Sequence, residues 1–214
     1  MIDSVLFDLD GTLWDATPGI TVVWNRVLEE NGFSRRLTHA DVCSYMGMPL
    51  VDICRSILPQ ANENEQRELL ALLTAAETEC GLSRESVEQG YVRLYEGVKE
   101  TLEELSRKRP LFIVSNCGIG YIESFLETFS LKSYIRDHEC YGATGMPKSY
   151  NIREIVRRHN LLYPVYVGDT LGDERAAEDA AVPFIHAAYG FGRALDPAAV
   201  LPDIRELPRL LQTL

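Results

Sequence analysis

Three short runs of this chain are apolar on both of their alternating faces, and that narrows the folds open to it. They are residues 4–8, 110–115 and 164–169. A strand with one face in water alternates apolar and polar side chains. A strand apolar on both faces has to be covered on both, as in a parallel sheet between two layers of helix. Two weaker runs, 137–141 and 182–187, read the same way. Helical patterns separate them. Val98, Leu102 and Leu105 share one face, as do Ile122, Phe125, Leu126 and Phe129 over 121–129, and Ile152, Ile155 and Val156 after Lys148. From about residue 97 onward strand and helix alternate, which predicts an α/β fold with a doubly wound, Rossmann-like parallel sheet.

The stretch between the first strand and that alternation is different. It shows no convincing strand, and helical patterns cover 19–31, 49–58 and 62–80. The expected organisation is therefore an α/β core built from 1–16 and 96–214, with an α-helical domain of 17–95 inserted into it. Ala16-Thr-Pro18 and Tyr95-Glu-Gly97 punctuate the junctions. At 214 residues and 46% hydrophobic, the chain is long enough for a core and a smaller second body.

In open α/β sheets, ligands bind beyond the carboxyl ends of the strands. The first strand runs into Asp8-Leu-Asp-Gly-Thr12, the second ends at Ser115-Asn116, and the fourth runs into Gly168-Asp-Thr-Leu-Gly-Asp173. Lys148 opens a helix between the third and fourth strands. Two carboxylates, a hydroxyl, an ammonium and two further carboxylates are thus delivered to one sheet edge. That set suits phosphoryl transfer. A carboxylate such as Asp8 can attack phosphorus and form an acyl phosphate. Mg²⁺, held by oxygens of Asp8 and Asp169, would offset the repulsion between them. Lys148 and Ser115 would bind phosphate oxygens, and Asp10, two residues on, is free for acid–base work.

Asp8-Leu-Asp-Gly-Thr-Leu-Trp-Asp15 resembles the first motif of the haloacid dehalogenase superfamily, D-x-D-G-[TV]-L-x-D. Ser115-Asn116, Lys148 and Gly168-Asp-Thr-Leu-Gly-Asp173 resemble its second, third and fourth, in the same order. The resemblance implies a Mg²⁺-dependent phosphatase for a small phosphorylated metabolite, with a mobile helical cap like that of phosphoglycolate phosphatases, β-phosphoglucomutases and pyrophosphatases. It implies Asp8 as nucleophile and Asp10 as general acid and base. Asp8, the carbonyl of Asp10 and Asp169 would ligate the metal, with Asp173 in support. Ser115, Lys148 and backbone amides near Gly11, Thr12 and Asn116 would hold the phosphate. Two positions depart from the pattern: Ser149 follows Lys148 where proline is usual, and Glu96 precedes Gly97-Val98 where proline is usual.

Other features are read more plainly. The segment 45–49 resembles a cap loop near substrate, which makes Gly47 a candidate contact. Trp14 lies between motif and cap or in the core. Cys117 is expected to pack and the loop 188–192 to be a simple turn. The four histidines lack metal-ligand spacing. Five scattered cysteines without a C-x-x-C pair indicate neither a zinc knuckle nor a disulfide framework, so a reducing cytoplasm is expected. A net charge of −11 argues against a nucleic-acid partner. With no long apolar run and no signal-like start, no membrane partner is expected either. A monomer is expected, with a dimer left open. Rival readings are a sugar phosphomutase, a pyrophosphatase, a metal-free dehalogenase and a non-catalytic, receiver-like module that accepts a phosphoryl group.

Overall fold

The computed structural model describes residues 2–80 and 84–214. Strands β1 (Ser4–Phe7), β4 (Leu111–Ser115), β5 (Asp137–Cys140), β6 (Pro164–Gly168), β7 (Phe184–Ala187) and β8 (Ala199–Leu201) form one sheet in the order β5-β4-β1-β6-β7-β8. Every neighbouring pair is parallel. The chain starts at the centre, builds outward to β5, then returns to the other side of β1. The strand order reverses there, so a crevice opens at the carboxyl ends of β1, β4 and β6.

Strand periodicity divides the apolar side chains cleanly. Val5, Phe7, Leu111, Ile113, Val165 and Val167 point to one face, where they meet Leu102 of α6 (Val98–Ser106) and Phe125 of α7 (Tyr121–Thr128). Leu6, Phe112, Val114 and Tyr166 point to the other. There they meet Ile152 and Ile155 of α9 (Lys148–His159) and Ala177 of α10 (Leu171–Asp179). Burial on both sides is what the continuous apolar runs required.

Helices α1 (Thr17–Glu30), α2 (His39–Tyr45), α3 (Leu50–Ile57) and α4 (Glu63–Cys80) gather round a third apolar cluster, including Trp24, Leu28, Val42, Ile53, Leu69 and Leu73. Helix α5 (Arg84–Glu88) follows, and α8 (Tyr141–Thr144) and α11 (Leu207–Leu210) are single turns near β5 and the C-terminus.

Three strand details differ from the sequence reading. The segment read as strand-free contains β3 (Arg93–Leu94), which pairs antiparallel with β2 (Trp14–Asp15) where the chain leaves and re-enters the sheet region. Two residues carry no periodicity, so such a ribbon leaves no pattern. The strand expected over 182–187, β7, begins at Phe184 rather than Val182, because Pro183 lacks the N–H a ladder needs. β8 was not expected: it is three residues long, and Val200 faces solvent at the sheet edge. Trp14 is fully buried and edge-on to Tyr121, Phe125 and Phe129, at 5.5, 5.0 and 6.0 Å between ring centres, so it belongs to the core.

Candidate active site

Four loops at that edge bring together most of the residues singled out above. Asp8 leaves β1 with its amide still donating to the Val167 carbonyl at 2.8 Å. Gly11 follows at φ +80°, and a side chain there would collide with the Asp169 carboxylate. Only glycine combines that left-handed turn with so close an approach. Lys148, buried at the start of α9, donates to Asp8 Oδ1 at 2.9 Å and to Asp173 Oδ1 at 2.6 Å. Asp173 in turn caps α10: its Oδ2 accepts from the Thr170 amide at 3.0 Å and the Thr170 hydroxyl at 2.6 Å, while the Thr170 hydroxyl accepts from the Asp173 amide. One carboxylate therefore orients both a helix start and an ammonium.

Asp169 is fully buried and accepts from the Phe191 amide at 2.7 Å through Oδ2. Its Oδ1 is buried with no hydrogen-bond partner among the described residues. Carboxylate oxygens of Asp8, Asp169 and Asp173 lie within 4.8 Å of one another. Three acids facing one lysine leave an excess of negative charge in a buried place. Burial, then the charge of Asp173, pushes the Asp8 carboxyl up to about 6. Burial, Asp173 and Asp8 push Asp169 well above the usual carboxylate range. Burial works against the Lys148 ammonium, but Asp173 and Asp8 outweigh it and hold its pKa above that of an ordinary lysine. An all-oxygen donor set with surplus negative charge and an unpartnered buried oxygen fits a hard divalent cation such as Mg²⁺.

Asp10 and Asp8 line a cavity with Ser115, Asn116, Cys117 and Tyr121 on the sheet side. Tyr121 donates to Asp10 Oδ1 at 3.1 Å. Burial and the neighbouring Asp8 raise the Asp10 carboxyl to about 7. Asn116 Nδ2 donates to the Gly47 carbonyl at 2.8 Å, which brings the 45–49 segment over the cavity with Tyr45, Met46, Gly47 and Met48 as lining residues. The Thr12 hydroxyl is buried without a partner among the described residues, and the Thr12 carbonyl accepts from Tyr189 at 2.9 Å.

The loop 188–192, read from sequence as a simple turn, reaches the site. A Cβ on Gly190 would strike Asp169 and the Gly11 carbonyl, and the Phe191 amide is the one bonded to Asp169. Its two glycines were the available signal. Tyr121 was placed only as the start of a helix pattern, since nothing local ties it to Asp10. Cys117 lines the cavity as well as packing, and burial pushes its thiol well above the usual cysteine value, which disfavours a thiolate.

The family model of haloacid dehalogenase-like hydrolases matches residues 5–187. The chain belongs to that family and is an enzyme of the hydrolase class. Its relatives include the phosphoglycolate phosphatase of Rhodobacter capsulatus, 27% identical over 99% of this chain and 98% of that protein. The phosphoglycolate phosphatase of Photobacterium profundum is also 27% identical, over 95% and 90%. Among solved structures, a haloacid dehalogenase-like hydrolase from Streptococcus pneumoniae superposes with a TM-score of 0.85 at 20% identity, over 99% of both chains. A predicted phosphatase from Clostridium acetobutylicum gives the same score and identity over the whole of both chains. These likenesses bear out the α/β fold and the resemblance of the chain to the haloacid dehalogenase superfamily.

Proposed function

We propose that this hydrolase is a Mg²⁺-dependent phosphatase for a small phosphomonoester, of the phosphoglycolate phosphatase type, working through an aspartyl phosphate on Asp8. The observation that carries this reading is the buried convergence of Asp8, Lys148, Asp169 and Asp173 below a cavity that Asp10 and Ser115 also line. The names of the curated relatives support the reaction class.

Asp8, the carbonyl of Asp10 and Asp169 would hold the metal, with Asp173 in support through Lys148. A bound Mg²⁺ would offset the phosphate charge that otherwise repels the attacking carboxylate. Lys148, Ser115 and the amides near Gly11, Thr12 and Asn116 hold the non-bridging oxygens. Asp8 attacks phosphorus in line. The bond from phosphorus to the ester oxygen breaks, and that oxygen takes the proton from Asp10. Water then attacks the aspartyl phosphate and gives its proton to Asp10 as the bond from phosphorus to Asp8 breaks, releasing inorganic phosphate. A carboxyl raised to about 7 can fill both acid and base roles near neutrality. Residues 17–95 serve as a cap that excludes bulk water, with Gly47 at the substrate. The thiols of Cys43, Cys117 and Cys140 are in no disulfide, which suits a cytoplasmic setting.

The test is phosphate release across phosphorylated metabolites with Mg²⁺, using Asp8→Asn as the blank. Turnover that Asp8→Asn abolishes and EDTA silences is the expected result. Full activity in that variant, or in EDTA, overturns the reading.

A further inference from the structure

The cavity beside Asp8 and Asp10 is walled on the helical side by Ile20, Trp24, Met46, Met48, Leu50 and Ile53. Among the described residues, no lysine, arginine or histidine lines it. Lys148, which bonds Asp8, is also engaged by Asp173. The charged groups in that lining are the two acids themselves, in a protein of net charge −11. A carboxylate carried here on a leaving group would lose its water to apolar side chains and gain no lysine, arginine or histidine of the lining in return. The free space is about 40 Å³. At roughly 10–15 Å³ per water, that is room for only a few small groups.

Asn116 adds a preference of its own. Its amide orientation is set by Gly47, whose carbonyl can only accept, so Nδ2 takes that bond. Oδ1 is then a buried acceptor with no partner among the described residues. A carboxylate cannot donate to it; a hydroxyl or amide can. Tyr45 also lines the cavity, and the Tyr121 hydroxyl donates to Asp10.

We propose that this site selects a phosphomonoester whose leaving group is small, uncharged and carries a hydrogen-bond donor, and that it discriminates against a leaving group bearing a carboxylate. The inference rests on the phosphatase reading above but parts this chain's substrate from the one named for its phosphoglycolate phosphatase relatives, because 2-phosphoglycolate itself carries such a carboxylate. Discrimination comes from an unpaired charge and an unmet acceptor rather than from size.

The experiment compares kcat/KM of the Mg²⁺-loaded enzyme for 2-phosphoglycolate and for glycolamide phosphate, which has the same skeleton with a carboxamide in place of the carboxylate. p-Nitrophenyl phosphate serves as a reactive control. A preference for the amide of about tenfold or more is expected. Met48→Lys, which places an ammonium at the cavity wall, is expected to shrink that preference at least about threefold. Equal or better turnover of 2-phosphoglycolate by the wild type overturns the inference while leaving the phosphatase reading intact. An unchanged preference in a folded Met48→Lys protein also counts against it. If none of the three esters releases phosphate, this inference fails, and the metabolite panel with its Asp8→Asn blank decides the phosphatase reading separately.

Discussion

At the scale of single residues, the site depends as much on absent side chains as on present ones. Gly190 and Gly11 press from two loops against Asp169, whose Oδ1 stays buried and unpartnered among the described residues. Gly190→Ala should push Asp169 aside and weaken Mg²⁺ binding by roughly 10–100-fold, the usual scale for groups supporting a metal ligand; activity titrated against Mg²⁺ checks it. Asp10→Asn should lower kcat by roughly 10²–10⁴-fold in a protein that still folds, read from steady-state kinetics beside a thermal melt. The four motif carboxylates, Ser115 and Lys148 were legible in the sequence because their chemistry sits at strand ends in a fixed order. Tyr121 and Phe191 were not, since each acts through one contact between segments far apart in the chain. Asp173 shows a second layer of meaning: the motif names it, but only the structure shows it holding Lys148 and capping α10 at once.

At the scale of elements, the strands that could be read were those whose burial leaves a mark on composition. β1, β4 and β6 are buried at every position. β5 was faint because Asp137 and Glu139 belong to an edge strand and pair with Arg158 and His159 of α9. The ribbon of β2 and β3 was invisible, yet it is well tied. Buried Asp15 accepts from the Thr17 amide at 3.0 Å and its hydroxyl at 2.6 Å, which fixes the start of α1, and meets Arg93 across the ribbon at 3.2 Å. Asp15→Ala strips a buried amide and a hydroxyl of their acceptor and should cost about 1–3 kcal/mol of stability in urea unfolding. The Arg93 contact contributes little of that, because the arginine is 71% exposed.

At the scale of the whole molecule, the metal-free protein folds against its own carboxylates. Asp8 and Asp10 bind protons more tightly folded, at about 6 and about 7, than at their ordinary value of 3.8. The folded state therefore holds more protons between about pH 4 and 7, and stability falls as pH rises through that window, then levels off. In EDTA, the urea midpoint should drop between pH 5 and pH 7.5, and Asp10→Asn should show a smaller drop. Adding Mg²⁺ at pH 7.5 should recover the loss. A flat wild-type profile in EDTA would contradict this account. The ribbon of β2 and β3 has its own consequence at this scale. Trp14 sits opposite Leu94 and Asp15 opposite Arg93, so the outbound and returning chain pass side by side. Antiparallel neighbours of this kind can be closed by a two-residue turn. The helical segment is thus wired like a plug with both pins in one socket, and a chain in which a two-residue turn joins Asp15 to Arg93 is expected to keep the parallel sheet behind it, as circular dichroism and a urea melt would read.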